Sequence, residues 1–374
     1  MKFANSLYEL LKQSPTAMQK YVDSTLATKF DNQIWKQLYD WDMQPSSIDG
    51  FKAVEVVQAA SVMADIRARF SPVAQRDTDG IEFYQGTIPD LSHGFKESVE
   101  DRVRFREMLK YFNGDTQILA QFTNNLVTYV GGIHSRITNM GMQLASSGEI
   151  VYDSTNQGTG TPFRSKAPVP SANFKTAGVA AWSDNTNAKI ITDMQNIQDY
   201  MRGTLGYTGA LEWNVDRYTM NNILRNKEVK DNVVAVLSNI GAAVVPTAPI
   251  TENQLNTFLQ EYRIIAPIKV YDEGQNLYSE GGVITPVSGW KEGRAILRPA
   301  GKVGVVKYHP LYELAEVQGQ QGINITTLEM GRIGIKSKFN PATETWTTDI
   351  LAAAIPTLRA WNYHIIVDTK TAED

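Results

Sequence analysis

Apolar residues recur every three or four positions from Ile118 through Phe122, Leu126, Tyr129, Ile133, Ile137 and Met140 to Leu144. That period traces one stripe along a single α-helix. Asn113-Gly114-Asp115 stops the preceding segment and caps this one, and Gly148 ends it. The spacing therefore predicts a helix of some thirty residues within about 115–147, and thirty residues at 1.5 Å each make a rod ~45 Å long. Its other face, with Gln121, Asn125, Thr128, Ser135 and Asn139, lacks the charges of a coiled-coil rim, which favours packing against a sheet. Gly131-Gly132 in its middle costs helix stability without contributing packing, and points to a bend or to close approach of another backbone.

The flanking pattern is different. Residues 1–57 hold short amphipathic pieces, at 7–11 and 33–39, broken by Ser14-Pro15 and Gln44-Pro45-Ser46-Ser47, and read as an arm laid on something else. Ala64, Ile66, Ala68 and Phe70 alternate with Asp65, Arg67 and Arg69, the period of a half-exposed strand. Asp77-Thr78-Asp79-Gly80 supplies a turn, and residues 81–85 resume extended character, which predicts a β-hairpin. Its outer face carries Arg67, Arg69, Arg76, Asp77, Asp79 and Glu82. Mixed charge of this kind suits docking onto another protein and equally suits an ordinary solvated hairpin. A capping box at Ser98-Val-Glu-Asp101 opens a short charged helix to about Tyr111.

Beyond the long helix, residues 149–152 read as a strand, 153–172 as a loop rich in Gly, Thr, Pro and Ser, and Ile190 to Met201 as a second amphipathic helix. Residues 205–300 alternate strands at 210–213, 242–245, 264–271 and 282–287 with helices at 216–225, 230–239 and 252–262. Strands at 326–338, 343–351 and 363–368 close the chain. The fold class is α+β, with α/β texture confined to one stretch.

Composition narrows function mostly by exclusion. The 374 residues include 36 basic and 40 acidic side chains, a formal charge of −4, and no cysteine. Thiol catalysis, cysteine zinc sites and disulfides are excluded, and so is a strongly basic nucleic-acid binder. The length suits two or three domains. Residues 1–17 show no secretory pattern, and the most apolar stretch, 232–250, carries Asn, Ser and Pro, short of the ~20 apolar residues of a membrane span. The expectation is a soluble protein made and kept in the cytoplasm, with no membrane contact.

A search for chemistry returns little. His93, His134, His309 and His364 stand far apart with no second ligand at a metal-binding spacing. Gly158-Thr-Gly160-Thr-Pro162 lacks the third glycine of a dinucleotide loop and runs into proline. Gly301-Lys302 has no glycine five residues upstream, so it is no Walker loop. No catalytic, metal or cofactor-binding residue is assigned, and no cofactor is expected. The chain reads as a non-enzyme.

The order of arm, charged hairpin, long helix, compact α/β stretch and closing strands resembles the major capsid proteins of tailed bacteriophages. Within them it is most similar to the lambda-type major capsid protein E family. The likeness is carried by Phe70-Ser-Pro-Val-Ala-Gln-Arg76, Arg102 and Arg106, Leu144-Ala-Ser-Ser-Gly148-Glu-Ile150, and Ala180-Ala-Trp182-Ser-Asp184. It continues through Asn221-Asn-Ile-Leu224-Arg-Asn226, Ile355-Pro356 and Tyr363-His-Ile-Ile-Val-Asp368.

The resemblance implies a Hong Kong 97-type fold with an N-terminal arm (1–58) and an extended β-hairpin loop (59–97). It implies a peripheral domain (98–200 and 301–374) with a spine helix, and an inserted α/β axial domain (201–300). It further implies a structural subunit that self-assembles, through hexameric and pentameric capsomers, into the icosahedral shell around a double-stranded DNA genome. The hairpin charges named above would lie between subunits, and Phe122, Leu126, Tyr129, Ile133, Ile137, Met140 and Leu144 would form the spine's core face. Expected partners are further copies of the chain, a separate scaffolding protein, a portal protein, a decoration protein, and weak non-specific contact with packaged DNA. The expected location is the virion capsid, and the host cytoplasm during assembly. Two alternatives stay open: an encapsulin-like compartment subunit, and a soluble α/β hydrolase or binding protein built on 205–300.

Overall fold

The structure is a computed structural model that describes residues 30–48, 50–56, 81–100, 103, 116–153, 161–239, 249–272, 274–278, 284–317, 323–340, 342 and 345–372. The expected amphipathic piece at 7–11, the strands at 64–70 and 242–245, the turn at 77–80 and most of the helix after Ser98 lie outside these residues.

A short helix, α1 (Ile34–Leu38), runs directly into β1 (Tyr39–Trp41). β2 (Phe51–Val56) and β3 (Ile81–Gly86) pair as a two-stranded ribbon. Among the described residues the partner of 81–86 is thus a segment that hydropathy alone assigns to the arm. After β4 (Asp90–Glu97) comes the long helix α2 (Thr116–Ser147), 32 residues in one piece. Gly148 closes it at φ 73°, its N–H bonded to the Leu144 carbonyl at 2.9 Å, a left-handed ending that glycine adopts without penalty.

β5 (Glu149–Tyr152) and β6 (Phe163–Lys166) form an antiparallel pair. β7 (Phe174–Ala177) leads to α3 (Ile190–Asp199), which widens into a π-turn at Tyr200–Thr204. Then follow β8 (Leu211–Val215), α4 (Arg217–Arg225), α5 (Lys227–Asn239), α6 (Glu252–Tyr262) and β9 (Ile268–Val270). β10 (Gly274–Tyr278) pairs with β11 (Ile284–Ser288), and β12 (Arg294–Pro299) and β13 (Gly304–Tyr308) come next. The chain closes with α7 (Tyr312–Val317), β14 (Ile323–Leu328), β15 (Ile333–Asn340), β16 (Thr345–Leu358) and β17 (Ile365–Ala372).

Three expected strands change. The single strand expected over 326–338 is two, β14 and β15, folded back at Glu329–Gly331, where φ is 51°, 57° and 87° at three successive residues. Two of those three are not glycine, so Gly331 is the turn's one compositional mark. The strand expected over 264–271 shrinks to β9, and that expected over 343–351 lengthens to β16.

The chain divides into two compact units. The first comprises Met1–Phe51, Gly86–Gly141 and Val305–Pro356. Its sheet runs β1-β13-β16-β15-β14, with β4 also on β16, so that Ile350 lies opposite both Ile335 and His93. Val130, Ile133, Ile137 and Met140 of α2 and Ile333, Ile335 and Ile350 of the sheet are all buried. The second unit comprises Lys52–Gln85, Met142–Gly304 and Thr357–Asp374. Its mixed sheet runs β7-β17-β12-β8-β9. Leu211, Trp213 and Val215 of β8 enter a core with Trp182, α3, Met220 and Ile223 of α4, Val229 and Val233 of α5, and Leu255, Phe258 and Leu259 of α6.

Candidate functional site

Arg67, Arg69, Arg76, Asp77 and Asp79 lie outside the described residues, and Glu82 is described only as a position in β3. Phe122 and Leu126 are likewise described only as positions in α2. Further along the stripe, Tyr129 takes the rings of His93 and Phe95 at 4.6 and 4.8 Å. Ile133, Ile137, Met140 and Leu144 are buried.

What lies on α2 in the first unit is a row of rings from the arm and β4. A Cβ on Gly131 would meet the Phe30 ring at 3.4 Å, on Gly132 the His93 ring at 2.3 Å, and on Gly141 the Tyr39 ring at 2.8 Å. The paired glycines thus admit side-chain rings, where a bend or close approach of a backbone was expected. The Tyr39 hydroxyl donates to the Gly141 carbonyl at 2.8 Å, and Tyr39 is fully buried. Between these sockets Phe30 stacks on His134 at 4.5 Å, and Trp35 Nε1–H donates to His134 Nδ1 at 3.2 Å. That bond places the histidine proton on Nε2, 4.0 Å from a Glu329 oxygen. Burial, with the Lys36 ammonium nearby, pushes His134 down to about 3, so it is neutral at physiological pH. Lys36 itself bonds Glu329 at 2.8 Å, and Arg332 lies over the rings of Trp41 and Tyr308 at 5.3 and 4.9 Å. Phe30, Trp35 and Tyr39 carry no motif; the sequence signals them only through the amphipathic piece at 33–39 and an arm with more aromatics than a free tail needs.

The second unit buries charge on one face of its sheet. Strand alternation turns Glu212 and Asn214 away from Leu211, Trp213 and Val215, and the antiparallel register sets Arg298 of β12 directly opposite Glu212. Both are almost wholly buried. Arg298 bonds Glu212 through Nη2 and Asn214 through Nε, and donates from Nη1 to the carbonyls of Pro299 and Gly301, each at 2.9 Å. Lys269 holds the second Glu212 oxygen at 2.7 Å. Burial raises the neighbouring Tyr271 hydroxyl, which stacks on Trp290. One carboxylate is shared by two cations, an arrangement that fixes register across the strands.

The residues that carried the family likeness act in the same way. Asp193 accepts from Trp182 Nε1 at 2.9 Å and from the Gly178 N–H at 3.2 Å. Asn226 caps α5 by accepting from the Val229 N–H at 3.1 Å. Glu228 takes the Ile191 N–H and the Thr192 hydroxyl at the start of α3, a carboxylate where the helix dipole favours one. Ser146 accepts from the Lys291 N–H at 3.0 Å, and His364 Nε2–H donates to the Ala145 carbonyl at 2.7 Å. Burial brings His364 down to about 4. Among the described residues no three His, Cys, Asp or Glu side chains converge to hold a metal, and no helix is long and apolar enough to cross a membrane.

The family model described as Phage major capsid protein E matches residues 51–351. No curated protein matches the chain. Among solved structures, a phage-related protein from Bordetella bronchiseptica RB50 is similar at 12% identity, covering 93% of this chain and 96% of that chain with a TM-score of 0.49. The mature capsid of bacteriophage PhiM1 is similar at 8% identity over 90% and 87% of the two chains, TM-score 0.45. The capsid of cyanophage A-1(L) is similar at 13% identity over 92% and 93%, TM-score 0.42.

Proposed function

The chain belongs to the phage major capsid protein E family, and from that premise we propose that copies of it close into an icosahedral shell through hexameric and pentameric capsomers. Its role is structural and non-enzymatic, as a component of the capsid shell of a tailed phage. The observation that carries the assembly reading is the match over 51–351, which includes the whole predicted hairpin and α2. A β-ribbon that cannot bury both faces within its own chain is marginal in water and gains stability by lying on a neighbour. In this reading Arg67, Arg69, Arg76, Asp77, Asp79 and Glu82 set register between subunits, since rim charges of mixed sign contribute specificity more than affinity. The division into arm (1–58), extended loop (59–97), peripheral domain (98–200 and 301–374) and axial domain (201–300) belongs to the same proposal. So do the buried spine stripe as its core face, a separate scaffolding protein, and a portal at one vertex.

Electron microscopy of the purified chain, alone and co-expressed with a scaffolding protein encoded beside it, tests the reading. Closed shells or capsomers are expected. A stable monomer under every condition would overturn it. The encapsulin-like alternative predicts shells that enclose a cargo enzyme and exclude DNA, which the same particles would reveal on analysis of their contents.

A further inference from the structure

We propose that Ile264 with Tyr262 in the second unit, and Met330 with Met43 in the first, are points at which one copy of this chain contacts another; this rests on the reading of the protein as a shell subunit. Ile264 follows α6 with φ at 55°. The next N–H, of Ile265, reaches back to the Leu259 carbonyl at 2.9 Å, the helix ending in which glycine or asparagine is the usual left-handed residue. Buried Gln198 clamps this conformation, donating to the Ile264 carbonyl and accepting from the Ala266 N–H, both at 2.8 Å. An isoleucine, branched at Cβ, is poorly suited to it. Yet its side chain is 77% exposed.

Met330 repeats the anomaly. At φ 57° between Glu329 and Gly331, it forms the tip of the β14–β15 hairpin with 94% of its surface in water. At both positions backbone sterics favour glycine and hydration favours a polar group, while the chain supplies a large apolar side chain. Local strain that the rest of the fold over-determines is a marker of function. Burial outside the subunit is what would recover the loss.

A second copy of this chain is the occupant the surroundings fit. A second exposed apolar side chain stands close to each along the chain or through a bond: Tyr262, at 46%, is two residues before Ile264, and Met43, at 92%, follows Asp42, whose carbonyl accepts from Arg332 at 3.0 Å; methionine adapts readily at contact surfaces. Near Met330 and Met43, Lys36 pairs with Glu329 and Lys307 with Asp42; beside Ile264, exposed Glu261 and Arg263 are of opposite sign, and Arg263 also bonds Asn232 and leans over Phe258. Two like surfaces can therefore meet without strong like-charge repulsion, and in a shell the neighbour present at highest local concentration is another copy.

The test compares Ile264→Gly and Met330→Gly with the wild-type chain. The thermal midpoint of the dissociated subunit should hold or rise, because strain is relieved, while the concentration needed for assembly rises about tenfold or more, as for loss of a buried apolar anchor. Ile264→Leu and Met330→Leu should assemble normally. A glycine variant that melts well below wild type would show that the side chain works inside its own subunit, and one that assembles like wild type would show that it touches no neighbour. Either outcome overturns the proposal. Failure of the wild-type chain itself to assemble would instead count against the shell reading.

Discussion

Replacing Gly141 with alanine sets two effects of known size against each other. In a helix interior alanine is more favourable than glycine by about 0.8–1 kcal/mol. Here, however, the new Cβ would stand 2.8 Å from one Tyr39 ring carbon and 3.2 Å from the next, inside the roughly 3.5–4.0 Å of a normal carbon contact. Overpacking of this kind costs about 1–3 kcal/mol. The upper part of that range applies, because Tyr39 is fully buried and its hydroxyl is bonded to the Gly141 carbonyl itself. Gly141→Ala should therefore destabilise the subunit by about 1–2 kcal/mol net. In a Tyr39→Leu background the ring edge is gone, and the same change should become stabilising by up to about 1 kcal/mol. Urea unfolding of dissociated subunits, analysed as a double-mutant cycle, reads both numbers. Stabilisation by Gly141→Ala in the wild-type background would refute the reasoning, since it would mean that no ring fills that socket.

Three further outcomes are expected. Glu212→Gln leaves the Arg298 guanidinium and the Lys269 ammonium without their shared carboxylate and should cost about 3–5 kcal/mol; a loss under 1 kcal/mol in the same unfolding assay would show that the charges are solvated. His134 and His364, held at about 3 and about 4 in the folded chain, bind protons more readily when unfolded, where histidine titrates near 6.5. Stability should thus be level above about pH 7 and decline as pH falls toward 4, with a slope approaching about 1.4 kcal/mol per pH unit for each histidine; a His364→Asn variant that keeps the full slope would exclude that residue as a source. Replacing Arg67 and Arg69 together with glutamate should leave the circular dichroism and melting of the subunit intact while reducing shell yield, and normal shells from that variant would remove the hairpin from the interface.

The long helix was legible because its signal is local: from Ile133 to Leu144 one period of 3.6 is enough to mark the inward face. The sockets on it were not, because whether Gly132 admits a backbone or a ring depends on His93, a partner brought in by β4. Alternation in Leu-Glu-Trp-Asn-Val marks a polar face on β8, yet the identity of its partner follows from a register set against β12 more than eighty residues away. The turn at Glu329-Met330-Gly331 hid inside a run of strand-forming residues, since two non-glycine residues adopt a conformation that composition assigns to glycine. Family likeness supplied the function, and the residues that carry it, such as Trp182, Asn226 and His364, turn out to be fold-locking groups. Ile264 and Met330 offered no signal in sequence; exposure and backbone angle together single them out.

The ring sockets on α2 also act as a ruler. Gly131, His134 and Gly141 stand at fixed heights on a rigid rod, with ~15 Å between the first and the last, and they receive Phe30, Trp35 and Tyr39 in the same order. One residue inserted or deleted between 30 and 39 would shift every ring beyond it out of its socket. The sockets on α2 thus hold the stretch from Phe30 to Tyr39 to a length of ten residues.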